Sequence, residues 1–138
     1  MKGIEVAAAM VFERGRLLVT QRPAGSHLEG LWEFPGGKRE PGEGWEECLR
    51  RELREELEIE VEVGPLFEEV RFRYPEKEVL LRFYLARRTG GEPRAVGCAA
   101  WEWVDAQGLS GKEFPPADAR LLERLASSRE LWVDGGPC

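Results

Sequence analysis

Hydrophobic positions along the chain recur with two different periods, and the change of period marks out the elements. Between residues 45 and 57 the period is helical: no Gly or Pro interrupts the run, and most of it consists of strong helix formers. With Trp45 at 0° and about 100° per residue, Leu49, Leu53 and Leu57 fall near 40°, 80° and 120° and Cys48 near 300°, which defines a stripe to be buried. Arg50, Arg51, Arg54 and Glu47 occupy the opposite arc. Glu52 and Glu56 come out at about 340° and 20°, inside the apolar sector, with Glu55 at its edge near 280°. A wholly solvated acidic face would not place them there.

Elsewhere the pattern is that of strands. Residues 4–12 are rich in Val, Ala and Ile, and residues 17–22 resume the pattern after Arg14-Gly15, which predicts a hairpin. Residues 23–30 read as a loop, followed by Leu31-Trp32-Glu33-Phe34-Pro35 running into Gly36-Gly37. Residues 60–74 and 78–87 alternate apolar and polar positions, with Pro75-Glu76-Lys77 as the bend between them. Residues 89–99 form a loop, Ala100-Trp101-Glu102-Trp103-Val104 a short strand, and Phe114-Pro115-Pro116 opens a second helix carrying Leu121, Leu122 and Leu125. Strands mixed with two substantial helices predict a layered α/β (α+β) domain. The segment after about residue 128 is expected to be peripheral and residues 134–138 frayed.

Size and charge narrow the function. A chain of 138 residues suits one domain with a real core, taken here as 1–138. A formal charge of −6 argues against a nucleic-acid polymer as partner, where a basic face is normally needed, but leaves room for a nucleotide bridged through a metal. Three cysteines without CxxC spacing indicate neither a disulfide scaffold nor a zinc site. Without an apolar run of about 18 residues or a basic-then-apolar leader, the expectation is a cytoplasmic protein with no membrane partner.

The chemistry concentrates on the first helix. Carboxylates at spacings of three and four stack on one face, and like charges at a half-buried surface are costly unless a cation neutralises them. All-oxygen ligation without histidine favours Mg²⁺, with Mn²⁺ as a possible substitute. Gly36-Gly37 just upstream reads equally as a backbone turn or as part of a ligand site.

Gly37, Glu43, Arg51-Glu52-Leu53, Glu55-Glu56 and Ile59 together resemble the Nudix box (37–59), the signature of hydrolases acting on nucleoside diphosphates linked to another moiety. One position departs: Glu58 stands where the box has a Gly that lets the helix end in a left-handed turn, so a mildly strained or differently shaped helix end is expected. The likeness runs from Ile4 to Leu125, over which the chain resembles the MutT branch through Trp32-Glu33-Phe34-Pro35-Gly36-Gly37-Lys38 and Phe114-Pro115-Pro116-Ala117.

This resemblance implies a mixed sheet sandwiched between helices and a Mg²⁺-dependent nucleoside triphosphate pyrophosphohydrolase. It assigns Glu52, Glu55 and Glu56 to the metal, joined by a carbonyl of Gly36 or Gly37 and by Glu102 between its two tryptophans. Glu52 is the first candidate to activate water and Glu43 the alternative base. Arg51 orients a box carboxylate or contacts phosphate. Arg22, Lys38 and Lys77 are candidate phosphate contacts.

His27, Phe34 and Asp118 are candidates for the base. MutT carries an Asn where this chain has Asp118, and a carboxylate, which only accepts hydrogen bonds, calls for a base edge rich in donors. That description fits 8-oxoguanine in 8-oxo-(d)GTP and the cytosine amine of CTP or modified dCTP; hydrolysis of ADP-ribose or a dinucleotide polyphosphate is a separate alternative, against which the match around Phe114 to Asp118 speaks. The implied role is cleansing of the nucleotide pool, by a monomer or homodimer.

Overall fold

The computed structural model describes residues 2–133, so residues 134–138, expected to fray, lie outside the described part. Seven strands, three α-helices and two short 3-10 turns follow one another. They are β1 (Lys2–Glu13), β2 (Arg16–Gln21), β3 (Trp32–Glu33), β4 (Gly36–Lys38), α1 (Trp45–Leu57), β5 (Glu60–Arg73), β6 (Lys77–Gly90), β7 (Ala100–Val104), α2 (Ala106–Ser110) and α3 (Ala119–Ser127), with 3-10 turns at Pro116–Asp118 and Arg129–Trp132.

β1 is the spine. Residues Lys2 to Val11 pair in parallel with Lys77 to Ala86 of β6, while Val6 to Ala8 pair on the other edge with β4. The far end of β1, Phe12 and Glu13, turns into β2 through the predicted hairpin. β2 in turn carries β7 along one edge and β3 on the other, and β5 closes the sheet beyond β6. The expected mixed sheet between helices is thus present.

Both faces of β1 are covered, which is why its sequence is an unbroken Ala-Ala-Ala-Met-Val run and not an alternation. Ala7, Ala9 and Val11 pack with Cys48, Leu49, Leu53 and Leu57 of α1. Ala8 and Met10 face the other way, against Leu121 and Leu125 of α3, Phe34, Phe83 and Phe114. Each large aliphatic side chain so buried contributes about 1.5–3 kcal/mol relative to exposure.

Two glycines set how closely β4 approaches its neighbours. A Cβ on Gly36 would lie 2.0 Å from the carbonyl oxygen of Ala7, and one on Gly37 would lie 1.8 Å from Oε2 of Glu52. Gly36-Gly37 is therefore an edge strand that only glycine can form at this separation, wedged between β1 and α1.

The C-terminal segment differs from expectation. Leu131 is buried and Trp132 packs edge-on against Phe12 at 5.0 Å, with its indole N–H donating to the carbonyl of Leu125 at 2.9 Å. A peripheral tail would leave two large apolar side chains in water, whereas folding back seals the open end of the α3 layer.

Helix α1 covers the predicted residues 45–57, and at its C-terminal end Glu58 adopts φ 58°, ψ 37°. The left-handed stop is kept without glycine. Replacing Glu58 by Gly should therefore stabilise the fold by about 0.5–1 kcal/mol, read as a raised midpoint in urea with an unchanged slope. A lowered midpoint would show that the Glu58 side chain outweighs its backbone strain.

Candidate functional site

The inner flank of α1, the β4 strand and the loops after β2 and before β7 enclose a cleft of about 370 Å³, lined by Arg22, Gly36, Gly37, Lys38, Glu56 and Gly97 among others. A second cavity of about 300 Å³ adjoins it, lined by His27, Leu28, Phe72, Tyr74, Ala117 and Asp118 among others. Val6, Ala8, Glu33 and Phe34 line both, so the two form one continuous groove.

Arg51 organises the acidic side. Its guanidinium donates to Glu43 at 2.6 and 3.0 Å, to Glu52 at 2.9 Å, to Glu55 at 3.1 Å and to the carbonyl of Lys38 at 3.0 Å. It sits on the outer arc, as its position on the helix implies, but its reach ties the loop before α1, the helix and β4 together. The ion-pair reading of this residue is the one the contacts favour.

The four carboxyls differ sharply in environment. Glu43 is only 10% exposed, and hydrogen bonds from Arg51 and from the Glu40 N–H hold its pKa down to about 2. Burial raises that of Glu52, against the pull of Arg51. Glu56 is pushed up to about 8, first by burial and then by the charge of Glu33. Its Oε1 is buried with no hydrogen-bond partner. Glu55 is 61% exposed and reaches the group only through Arg51.

Among the described residues no three His, Cys, Asp or Glu groups converge into a ready-made ligand set. The donors nonetheless fit a hard divalent ion: oxygens alone, an orphaned buried carboxylate oxygen, and a glycine strand that lets Glu52 lie against the backbone. Glu52, Glu56 and Glu55, with a β4 carbonyl, are the groups that could hold it. The carbonyl of Gly37 already accepts a long contact of 3.7 Å from the Cys48 thiol.

Two other expected residues are placed differently. Glu102 lies opposite Val19 in the β2–β7 register, on the sheet face away from α1, and its carboxylate pairs with Lys112 at 2.8 Å while 49% exposed. It lines neither part of the groove, so the structure separates it from the helix carboxylates; strand pairing fixed that face, and the sequence showed only alternation. Lys77, at the tip of the β5–β6 hairpin, sits 5.8 Å over the Tyr74 ring and also lines neither. Arg22 and Lys38 do line the cleft, but Arg22 is held by Glu33 at 3.0 Å.

The three residues suggested for the base all meet in the second cavity. Phe34 forms its wall, edge-on to Phe83 at 6.0 Å and beside Phe114 at 5.3 Å. Asp118 precedes α3 but its side chain caps nothing. It faces the cavity instead, and burial followed by the charge of Glu33 raises its pKa to about 6.

Sequence reasoning overlooked Glu33. It is the one carboxyl common to both cavities, and its own pKa is raised by burial in spite of Arg22. Its placement follows from pairing with Thr20, which is fully buried. A charged residue inside an otherwise apolar Trp-Phe-Pro stretch was the available signal.

The fold and this acidic, cation-lined groove define a class: hydrolases of phosphoanhydrides that work with a divalent metal. A family model described as a NUDIX domain matches residues 6–124. The chain is 40% identical over 133 residues to an 8-oxo-dGTP diphosphatase of Haemophilus influenzae, covering 96% of this chain and 98% of that protein. It is 38% identical to a CTP pyrophosphohydrolase of Escherichia coli, covering 94% and 96%. Among solved structures, the E. coli ORF135 protein superposes with a TM-score of 0.82 at 38% identity, covering 94% of this chain and 92% of that one. The chain belongs to the Nudix family of hydrolases.

The raised carboxyls set a pH dependence. Between the unfolded values near 4 and the folded values of about 6 for Asp118 and about 8 for Glu56, the folded protein holds protons that the unfolded chain releases, so stability falls as pH rises. Glu43 acts in the opposite sense, but only below about pH 4.5. In chelator, the melting temperature should drop from about pH 5 to about pH 8.5, and Glu56→Gln should flatten the upper part of the curve. A flat wild-type profile would contradict the burial of these groups.

Proposed function

We propose that the protein is a Mg²⁺-dependent nucleoside triphosphate pyrophosphohydrolase, with Mn²⁺ able to substitute, which cleaves the α–β phosphoanhydride to release the monophosphate and pyrophosphate. The observation that carries this reading is the continuous groove: an acidic cleft carrying Arg22 and Lys38 for phosphates opens into an aromatic cavity ending at Asp118. A nucleotide has this same polarity, from polyphosphate to base.

A bound divalent cation supplies Lewis acidity and offsets the charge of the polyphosphate. The residues then divide the remaining work. Glu52, half-buried against Gly37, accepts a proton from the attacking water. Glu43 is the weaker candidate base, since a carboxylate held near pKa 2 has little affinity for a proton at neutral pH. Glu56 and Glu55 contribute further oxygen donors, and Arg51 keeps the helix carboxylates in place. Phe34 and the apolar wall exclude water around the base.

Asp118 sets the preference among bases. With a pKa of about 6 it is mostly ionised at neutral pH and accepts hydrogen bonds from a donor-rich edge. The N–H groups of 8-oxoguanine offer such an edge, and we assign 8-oxo-(d)GTP as the leading substrate, which makes the protein a cleanser of the cytoplasmic nucleotide pool. A CTP or modified-dCTP activity is the second reading, favoured by the presence of Glu33 beside the same cavity, because two carboxylates suit an exocyclic amine.

Initial rates with Mg²⁺ on 8-oxo-dGTP, dGTP, CTP, 5-methyl-dCTP and ADP-ribose, scored by kcat/KM and by the phosphate product, decide between these. Pyrophosphate released fastest from 8-oxo-dGTP is the expected result; phosphate as the product, or ADP-ribose in the lead, would reject the reaction proposed. Glu52→Gln should lower kcat by about 10²–10⁴-fold while Mn²⁺ still binds, and unchanged turnover would remove Glu52 from the mechanism. Asp118→Asn should alter the ratio of kcat/KM between 8-oxo-dGTP and CTP by about 10-fold or more.

A further inference from the structure

Helix α1 carries its most deeply buried carboxylate, Glu56, in its last turn, where helices fray most readily because the final carbonyls have no partner within the helix. Two features favour fraying further. Glu58 occupies a left-handed conformation without being glycine, and the Glu56 carboxyl is held out of water with Oε1 unpartnered. Unwinding one turn would relieve both.

What opposes it is the segment of residues 93–99, laid across the helix end. The Arg94 N–H donates to the carbonyl of Leu57 at 2.9 Å, and the N–H groups of Val96 and Gly97 both donate to the carbonyl of Glu56, at 3.1 and 3.0 Å. The Ala99 N–H then ties the segment to Gln21 of β2 at 2.9 Å. Arg94 also pairs with the Glu58 carboxylate at 3.3 Å. The strap is so close that a Cβ on Gly97 would meet the Glu56 Cα at 3.3 Å and its Cγ at 3.6 Å. Gly97 itself lines the acidic cleft beside Glu56.

We propose that this strap is a positioning device for Glu56, with Gly97 as its key residue: it pins the backbone of the last helical turn so that the buried carboxylate stays aimed into the cleft, and so sets the affinity for the divalent cation. The inference rests on the reading of Glu56 as a metal-holding group. A methyl group at residue 97 would press on the Glu56 Cα at 3.3 Å, so the strap and the last helical turn would have to move apart by a few tenths of an ångström to admit it.

Gly97→Ala tests it, with Mn²⁺ affinity measured by electron paramagnetic resonance and folding by thermal melting. The expected result is about 10-fold weaker Mn²⁺ binding, in line with residues that support metal ligands from behind, with kcat recovered at saturating metal and little change in melting temperature. Wild-type Mn²⁺ affinity in folded Gly97→Ala would overturn the proposal. Hydrogen exchange on the unmodified protein gives an independent reading: the amides of Val96 and Gly97 should be protected like the interior of α1, and exchange at loop rates would overturn the strap whether or not the variant folds. Glu56→Gln separates the two layers of argument. If it keeps full Mn²⁺ affinity, the metal reading beneath the proposal fails; if it loses affinity while Gly97→Ala does not, only the role of the strap fails.

Discussion

Holding several carboxylates together on the inner flank of one helix is the constraint from which most of this structure follows. Like charges so placed repel, and those next to the apolar stripe also lose hydration. The protein meets this with one guanidinium, Arg51, shared among Glu43, Glu52 and Glu55, while burial raises the pKa of the group Arg51 does not reach, Glu56, to about 8. Arg51 also takes the carbonyl of Lys38, so the same residue that neutralises the helix carboxylates anchors the glycine strand against them.

From that arrangement the rest of the groove can be understood as spacing. Glycines at 36 and 37 remove the side chains that would hold β4 away from β1 and α1, and a glycine at 97 eases, to a smaller degree, the contact of the strand-to-strand connection crossing the helix end. Backbone is thereby brought against the Glu52 carboxylate at Gly37 and against the helical turn that carries Glu56 at Gly97. On the other face of the sheet, Phe34, Phe83 and Phe114 make a stiff aromatic wall, and Asp118, freed from any capping duty, closes the groove at its far end. A cation-dependent cleft and a base-sized cavity are joined through Glu33, whose charge is felt by both Glu56 and Asp118.

The stability of the whole is sacrificed in small amounts at this site. An orphaned oxygen on Glu56 and a desolvated Asp118 each oppose folding, and both residues line the groove. The two core layers, with α1 on one side of β1 and α3 on the other, offset these costs, and Trp132 folding back on Phe12 extends the second layer. Cost concentrated at a groove over an otherwise regular core is the usual signature of a functional surface.

The chain's own sequence determined whatever depends on short-range periodicity and on residue chemistry. The helix at 45–57, its buried stripe, the placement of Glu52 and Glu56 beside that stripe, the β1–β2 hairpin and the oxygen-only donor set all follow from spacing within a few residues. Tertiary structure decided what depends on which strand lies beside which. Register with Val19 turns Glu102 away from the helix, register with Thr20 brings the overlooked Glu33 into the groove, and packing recruits Leu131 and Trp132 from a segment whose local pattern suggested a loose end. The physical reason is the same in each case. A strand's alternation specifies two faces but not which one meets the site, and that choice is made by contacts between residues far apart in the chain.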